Sequence, residues 1–233
     1  MKIFADGRLL ALGITAGTAT RHFGTGRDKE NVKKLFDSLN IDHQKILGIN
    51  QTHGTDIVQI ITEKDLEEYQ KNQTHNADAW LLGKKEQGVL ILTADCAPVF
   101  VWDDKGRYVG LAHCGWRGVA AGLPAKIARE VKKRAGAGAN LQAFIGPHIK
   151  ACCFEVRQDV AQKFPPQARV ERGGKIYINL TEAVVMQLTG EGVKEKEINR
   201  QNPFQCTMCN KENFFSYRRD KTRDVLMSFA YKI

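Results

Sequence analysis

The sequence predicts a mixed α+β fold, a sandwich of helices and strands built around a large mixed sheet. Three observations carry the prediction. Short apolar runs at 88–93, 99–102, 107–112 and 141–145 have the length of central strands. Stretches at 28–40 and 118–135 carry helical apolar spacing. The two kinds of segment are interspersed without a strict βαβ rhythm, which favours α+β over a regular α/β winding. No repeat, low-complexity tract or linker divides the chain, so residues 1–233 are expected to form a single domain.

The elements follow in order. Val32, Leu35, Phe36 and Leu39 give 28–40 one apolar helical face. Residues 45–49 and 57–61 read as strands flanking the loop "NQTHGTD"; 62–76 is helical in part, and 79–82 is a short strand. Pro124 places the true start of the 118–135 helix near Leu123. "GAGAN" ends it and leads into the strand at 141–145. Residues 155–164 read as helix, and Asn179 with Glu182 resembles a capping box opening another. The tail at 225–231 alternates through Val225, Met227, Phe229 and Tyr231, a half-buried strand.

Composition narrows the classes of function. At 42% hydrophobic residues the chain can bury a core. Its longest apolar segment, 88–102, is interrupted by Asp95 and Pro98 and is too short to span a bilayer. No amino-terminal secretion signal is present, so a cytoplasmic protein is expected. Six cysteines in such a chain predict reduced thiols or metal ligands rather than disulfides. A net charge of +9 would suit a phosphate-bearing partner. The cations are interleaved with acids, as in "DKENVKK" and "GEGVKEKEINR", which reads as solvated helix faces. No nucleic-acid or membrane partner is expected, and monomer and homodimer both stay open.

The stretch "TADCAPVFVWDDKGRYVGLAHCGWRG" ends two core strands in a thiol and an imidazole. If residues 103–106 form a four-residue hairpin loop, Trp102 faces Arg107 and Cys96 faces His113. Cross-strand partners have Cβ atoms about 4.5–5.5 Å apart, near enough to grip one ion. That register turns Cys114 to the opposite face. Thiolate and imidazole together favour zinc, and His53 in "NQTHGTD" is the best third donor. His-Cys-His leaves one tetrahedral position open, the pattern of a catalytic site where a water ionises near neutral pH. Singly, each residue has a plainer reading: a buried thiol, a hydrogen-bonded core histidine, a loop histidine.

At these residues the sequence resembles the laccase-domain, or YfiH-like, family. The similarity runs through "NQTHGTDIV", "NADAWLL", "LTADCAPVFV", "AHCGWRG", "IGPHIKACCFEV" and "FFSYRRDKTRDVLMSFAYKI", nearly all of the chain after Ile46. Members have been called polyphenol oxidases and are now described as purine nucleoside phosphorylases. The resemblance implies a zinc site of His53, Cys96 and His113. It implies phosphorolysis of adenosine, inosine, guanosine and methylthioadenosine, with adenosine deamination as a second activity. It also implies a mixed α/β sandwich related to a bacterial toxin's deamidase domain. Two departures stand out: a shorter opening segment, "GTATRHFGTGRDKENV", and HCGWRG where the family has HAGWRG.

Phosphorolysis needs an anion site, and Arg117, just past His113 and before an expected helix, is the best candidate. Arg21, Arg218 and Arg223 are weaker ones. For deamination, hydroxide generated at the zinc would attack the purine carbon bearing the amino group. Asp95 would pass the proton, orient a ligand, or simply cap its strand. Asp78, His148, Cys152 and Cys153 lie in family-like motifs without a role legible from sequence. Vicinal Cys152 and Cys153 read as buried thiols, and Cys206 and Cys209 in "CTMC" as half a zinc knuckle lacking its second pair, hence structural.

Three rival functions differ in metal, one of them a non-enzymatic binding or scaffold protein whose structural zinc has a closed fourth position. A metal-free hydrolase would use Cys96 as nucleophile and His113 as base on an amide such as a cell-wall precursor. A copper phenol oxidase would need more histidines than the six present, although Cu²⁺ could occupy the His-Cys-His donors in vitro.

Overall fold

The computed structural model describes residues 2–72, 74–136, 138–200 and 205–233. Its strands, in chain order, are β1 (Ile3–Phe4), β2 (Ile14–Ala19), β3 (Ile46–Gly48), β4 (Ile57–Ile60), β5 (Ala79–Leu82), β6 (Gln87–Thr93) and β7 (Ala97–Asp103). There follow β8 (Val109–Cys114), β9 (Leu141–Ile145), β10 (Glu155–Val156), β11 (Arg169–Arg172), β12 (Lys175–Ile178), β13 (Ile198–Asn199) and β14 (Leu226–Lys232). The α-helices are α1 (Gly7–Ala11), α2 (Lys29–Asp37), α3 (Glu63–Lys71), α4 (Trp116–Ala120), α5 (Leu123–Ala135), α6 (Gln158–Ala161), α7 (Leu180–Gly190) and α8 (Tyr217–Asp220). No helix among the described residues is long and apolar enough to cross a membrane.

Five strands pair in the order β1-β2-β14-β6-β3 and six in the order β13-β9-β7-β8-β5-β4; β10-β12-β11 form a small third sheet. Both large sheets are mixed, because β3–β6, β4–β5 and β13–β9 run parallel among antiparallel neighbours. Strand alternation divides the side chains into layers. Trp80, Phe100, Trp102 and Leu111 fill the space between the large sheets with Ile14, Val89, Ile91 and Ala230. Trp80 Nε1 also donates across it to Leu90 O at 3.1 Å. On the outer face of the six-stranded sheet, Leu81, Val99, Val101 and Ala112 pack beneath Ile127 and Val131 of α5 and Val184 and Leu188 of α7. On the outer face of the other sheet, Met227 and Phe229 pack on Leu35 and Phe36 of α2. The result is an α–β–β–α sandwich, with two large sheets where the sequence predicted one.

Local signals account for most boundaries. Asp28 caps α2 by accepting the Glu30 N–H, and Gly122 with Pro124 starts α5 at Leu123. Asn179 accepts the Glu182 N–H at 3.2 Å, and a reciprocal capping box joins Thr62 and Asp65. "GAGAN" follows α5, but its Ala137 lies outside the described residues. Residues 155–164 are not one helix. Glu155 and Val156 pair with β12, and only the four residues of α6 are α-helical before Pro165 and Pro166. The tail is buried on both faces rather than half-buried, because β14 is central, between β2 and β6.

The hairpin register differs from the predicted one. Trp102 faces Val109, and His113 faces Pro98 instead of Cys96. The cause is Asp103, which continues β7 and uses its carboxylate as a turn acceptor. It takes the Tyr108 N–H at 2.7 Å and Arg107 Nε at 3.0 Å, while Gly106 supplies φ +64°. Cys96 therefore lies in the approach to β7, one residue before the strand begins. The slip is two residues, so the faces are preserved. Cys114 points into the apolar layer beneath α5, and burial pushes its thiol well up.

Candidate active site and metal centre

Asp78 organises the site. Ala79 faces Ala112 in the β5–β8 ladder, and the next pair along it brings Asp78 opposite His113. The His113 backbone N–H donates to Asp78 O at 2.7 Å, and His113 Nδ1 donates to Asp78 Oδ1 at 2.8 Å. The "QTHGT" loop wraps the same fully buried carboxylate. Asp78 accepts backbone N–H groups from Thr52 at 3.1 Å, His53 at 3.0 Å and Gly54 at 2.6 Å, and the Thr52 hydroxyl at 3.1 Å. Successive N–H groups converge on an anion only when the backbone curls, and His53 accordingly sits at φ +61°. One aspartate thus sets the His53 backbone and the His113 ring together.

The donor atoms of His53, Cys96 and His113 lie within 4.8 Å of one another. The two imidazoles meet edge to face, with centroids 4.9 Å apart. His113 Nδ1 is taken by Asp78, which leaves Nε2 for an ion. Gly115 closes one side: a Cβ there would come 2.9 Å from Cys96 Sγ and 3.2 Å from His53 Cδ2. The space beside the donors admits no side chain at position 115. Two imidazoles and a thiolate suit a borderline divalent ion with an open position, so this donor set could hold a metal.

The electrostatics without an ion are those of a relay. Burial raises the Cys96 thiol, but His113 and then His53 bring it down from 9.0 to about 7. Burial lowers the His113 imidazole, but Cys96 and Asp78 raise it from 6.5 to about 9. Asp78, which burial would raise, is held at about 2 by hydrogen bonds from His113, Gly54 and Thr52. The thiolate stabilises the fold fully above 9.0, and that contribution is lost as pH falls through about 7. The imidazolium does so fully below 6.5, and its contribution is lost as pH rises through about 9. The metal-free pair is therefore charged between those limits. Alkylation of Cys96 in chelated protein, followed by peptide mass spectrometry, is expected to inflect near pH 7. An inflection at the ordinary thiol value would show that the two side chains are not paired.

A cavity of 630 Å³ opens on these donors. Its walls include Arg27, Arg117, Arg218 and Arg223, the carboxylates of Asp95 and Asp224, and the rings of Trp116, Phe154 and Tyr217. Arg117 is exposed and stacks on Trp116 with its guanidinium carbon 4.4 Å from the ring centre. Arg117 lies in the first turn of the five-residue α4, ahead of α5. The backbone N–H of Arg218 donates to Asp95 Oδ2 at 2.7 Å, and its Nη1 to Glu155 O at 2.9 Å. Asp95 also accepts the Thr207 hydroxyl at 2.6 Å and sits at φ +86°.

The structure departs from the sequence reading at several residues. Asp78 is the carboxylate that fixes the His113 ring, whereas Asp95 ties Thr207 and Arg218 to the cavity rim. Arg21 does not line this cavity: it donates to Lys211 O at 2.8 Å and packs over Phe215. Arg27, missed in the sequence, does line it and donates to Arg223 O. His148 is buried, with Nδ1 on Gly146 O and Nε2 on the Thr181 hydroxyl. The "CTMC" cysteines do have a second pair, because Cys152 and Cys153 come together with Cys206 and Cys209.

Fold and site thus define an α–β–β–α sandwich whose His-Cys-His cluster, capable of holding a metal, lies at an arginine-lined cavity. The chain belongs to the multi-copper polyphenol oxidoreductase laccase family, which it matches over residues 25–229. It is 30% identical over 220 residues to purine nucleoside phosphorylase YfiH of Escherichia coli, covering 91% of this chain and 84% of that one. It is 29% identical over 212 residues to a purine nucleoside phosphorylase of Aquifex aeolicus, covering 88% and 95%. The crystal structure of YlmD from Geobacillus stearothermophilus superposes with a TM-score of 0.83 at 26% identity, over 94% of this chain and 92% of that one.

Proposed function

We propose that the chain is a zinc-dependent purine nucleoside phosphorylase acting on adenosine, inosine, guanosine and methylthioadenosine, with hydrolytic adenosine deamination as a second activity. One observation carries the reading: His53, Cys96 and His113 share a cavity with arginine cations and aromatic rings. The relatives named as purine nucleoside phosphorylases support the same reaction. Strands from both ends of the chain, β2 and β14, pair in one sheet, which supports residues 1–233 as a single domain.

In phosphorolysis a phosphate oxygen bonds to the ribose anomeric carbon, the glycosidic bond breaks, and its electron pair leaves on the purine, which takes a proton. Arg117 is free to fork onto phosphate, and Arg218 adds charge on the same cavity. The rings of Trp116, Phe154 and Tyr217 offer apolar faces for a purine. His53, Cys96 and His113 would hold Zn²⁺, which when bound supplies Lewis acidity. Deamination adds water at the carbon bearing the amino group and releases ammonia. Asp95 is the proposed proton carrier, its carboxylate fixed at the cavity by Thr207 and Arg218.

Incubating the zinc-loaded protein with adenosine, with and without phosphate, tests both reactions. Adenine is expected only with phosphate, and inosine in either case. Neither product from protein of verified zinc content would end this reading.

One observation favours a rival. Asp78, His113 and Cys96 also have the arrangement of a Cys-His-Asp hydrolase, in which the thiolate attacks an amide. Full activity on an amide in zinc-free protein, abolished by stoichiometric alkylation of Cys96, would favour it. A multicopper oxidase lacks ligands: among the described residues, His53 and His113 are the histidines found in a cluster able to hold a metal.

A further inference from the structure

The "CTMC" turn meets "KACC" through backbone contacts as well as through sulfur. His148 bridges Cys206 in parallel fashion, and Thr207 N donates to His148 O at 3.2 Å. Each segment is itself a tight turn. Cys153 N and Phe154 N both donate to Lys150 O at 2.9 Å, and Asn210 N donates to Cys206 O at 2.9 Å. Arg219 holds the second turn from outside, donating to Thr207 O at 2.8 Å and Met208 O at 3.0 Å. Backbone pairing and the Arg219 side chain together bring four thiols to one point.

The four Sγ atoms lie within 4.8 Å of one another, with Cys152 3.7 Å and Cys153 3.2 Å from Cys209, and all four cysteines are free. A tetrahedral ion with metal–sulfur bonds of about 2.3 Å places its sulfurs roughly 3.8 Å apart. The separations of 3.2 and 3.7 Å and the common limit of 4.8 Å bracket that distance. We infer that Cys152, Cys153, Cys206 and Cys209 form a tetrathiolate site for a structural Zn²⁺ ion, distinct from the His53–Cys96–His113 cluster and independent of any reading of its activity. Four sulfur donors complete the tetrahedron and leave no open position, the mark of a structural rather than a catalytic ion. Four thiolates and Zn²⁺ carry net negative charge. The backbone N–H of Lys150 donates to Cys206 Sγ at 3.5 Å and Arg172 to Cys152 O at 3.0 Å, so N–H donors and a cation border the cluster.

The site has a structural consequence. Thr207, between two of the ligands, donates to Asp95 Oδ1, and Asp95 immediately precedes Cys96. An ion at the four sulfurs fixes the turn that holds Asp95 at the cavity and closes the long chain segment between the cysteine pairs.

The test uses the full chain purified under a phosphine reductant. Zinc content is measured by mass spectrometry in wild type, His53→Ala, Cys209→Ser and Cys152→Ser, and Co²⁺ spectra are recorded after exchange. Wild type is expected to carry two ions and each cysteine variant one. His53→Ala is expected to keep the intense sulfur-to-cobalt absorption of four thiolates, and its melting temperature should fall on chelation. Because His53→Ala leaves all four thiols intact on a surface it does not touch, the test stands even if the cysteine variants misfold. Reduced wild-type and His53→Ala protein that take up neither zinc nor cobalt with a tetrathiolate spectrum would overturn the inference. So would intact masses showing a disulfide among these cysteines and no second ion.

Discussion

Replacing Asp78 with asparagine is expected to weaken metal binding at His53, Cys96 and His113 by about 10- to 100-fold, with phosphorolysis falling alongside. Asparagine keeps the volume but not the charge. Its amide cannot accept from His113 Nδ1 and from the Thr52, His53 and Gly54 N–H groups with both of its terminal atoms, as the carboxylate does. The His53 loop then loses the anion around which it curls, and His113 loses the partner that presents Nε2. Stability should fall as well. Moving a carboxylate from 3.8 to about 2 is worth roughly 2 kcal/mol. Because this pKa is depressed in the folded state, the contribution is complete above 3.8 and disappears as pH falls toward about 2. Metal-free wild type and Asp78→Asn should therefore differ in melting temperature at neutral pH and converge in acid. A chelator competition giving equal affinities, or a gap in melting temperature that persists at low pH, would show that Asp78 does not organise the site.

The parts of this site that could be read from sequence are those set by local chemistry. The strand at Ala79–Leu82, the start of α5 at Leu123 and the opposite facing of His113 and Cys114 all follow from periodicity and turn residues. The hairpin register failed by two residues because Asp103 acts as strand and turn at once, through a side-chain bond to Tyr108 that no pattern of apolar residues encodes. β2 escaped notice because "ITAGTA" is rich in small residues, although all but one of its positions are buried or nearly so. The β11–β12 hairpin did carry a signal. Gly173 and Gly174, at φ +58° and +70°, are the pair a two-residue turn requires. The Asp78 nest and the four-cysteine cluster join segments far apart in the chain, and only the folded sandwich brings them together.

Replacing His113 with alanine is expected to remove the ion from the His53–Cys96 donors and to abolish phosphorolysis and deamination together. Replacing Arg117 should separate them. His113 is buried and held by Asp78 through backbone and side chain, so no neighbour can take over its ring position. A bound divalent ion contributes several kcal/mol of transition-state stabilisation, so the loss should reach about a thousandfold. Arg117 lies on the cavity wall and touches none of the three donors through a hydrogen bond or ion pair. A lost charge-assisted bond to phosphate costs about 1.5–3 kcal/mol, which corresponds to a rise in the KM for phosphate of roughly 10- to 100-fold. Adenosine deamination, which uses no phosphate, should stay near the wild-type rate in Arg117→Ala. Steady-state assays of both reactions, with zinc measured in each preparation, give the answer. If Arg117→Ala lowers both reactions equally at full zinc content, the arginine serves the purine or the fold rather than phosphate. If His113→Ala retains either reaction, that reaction does not depend on the ion held by these donors.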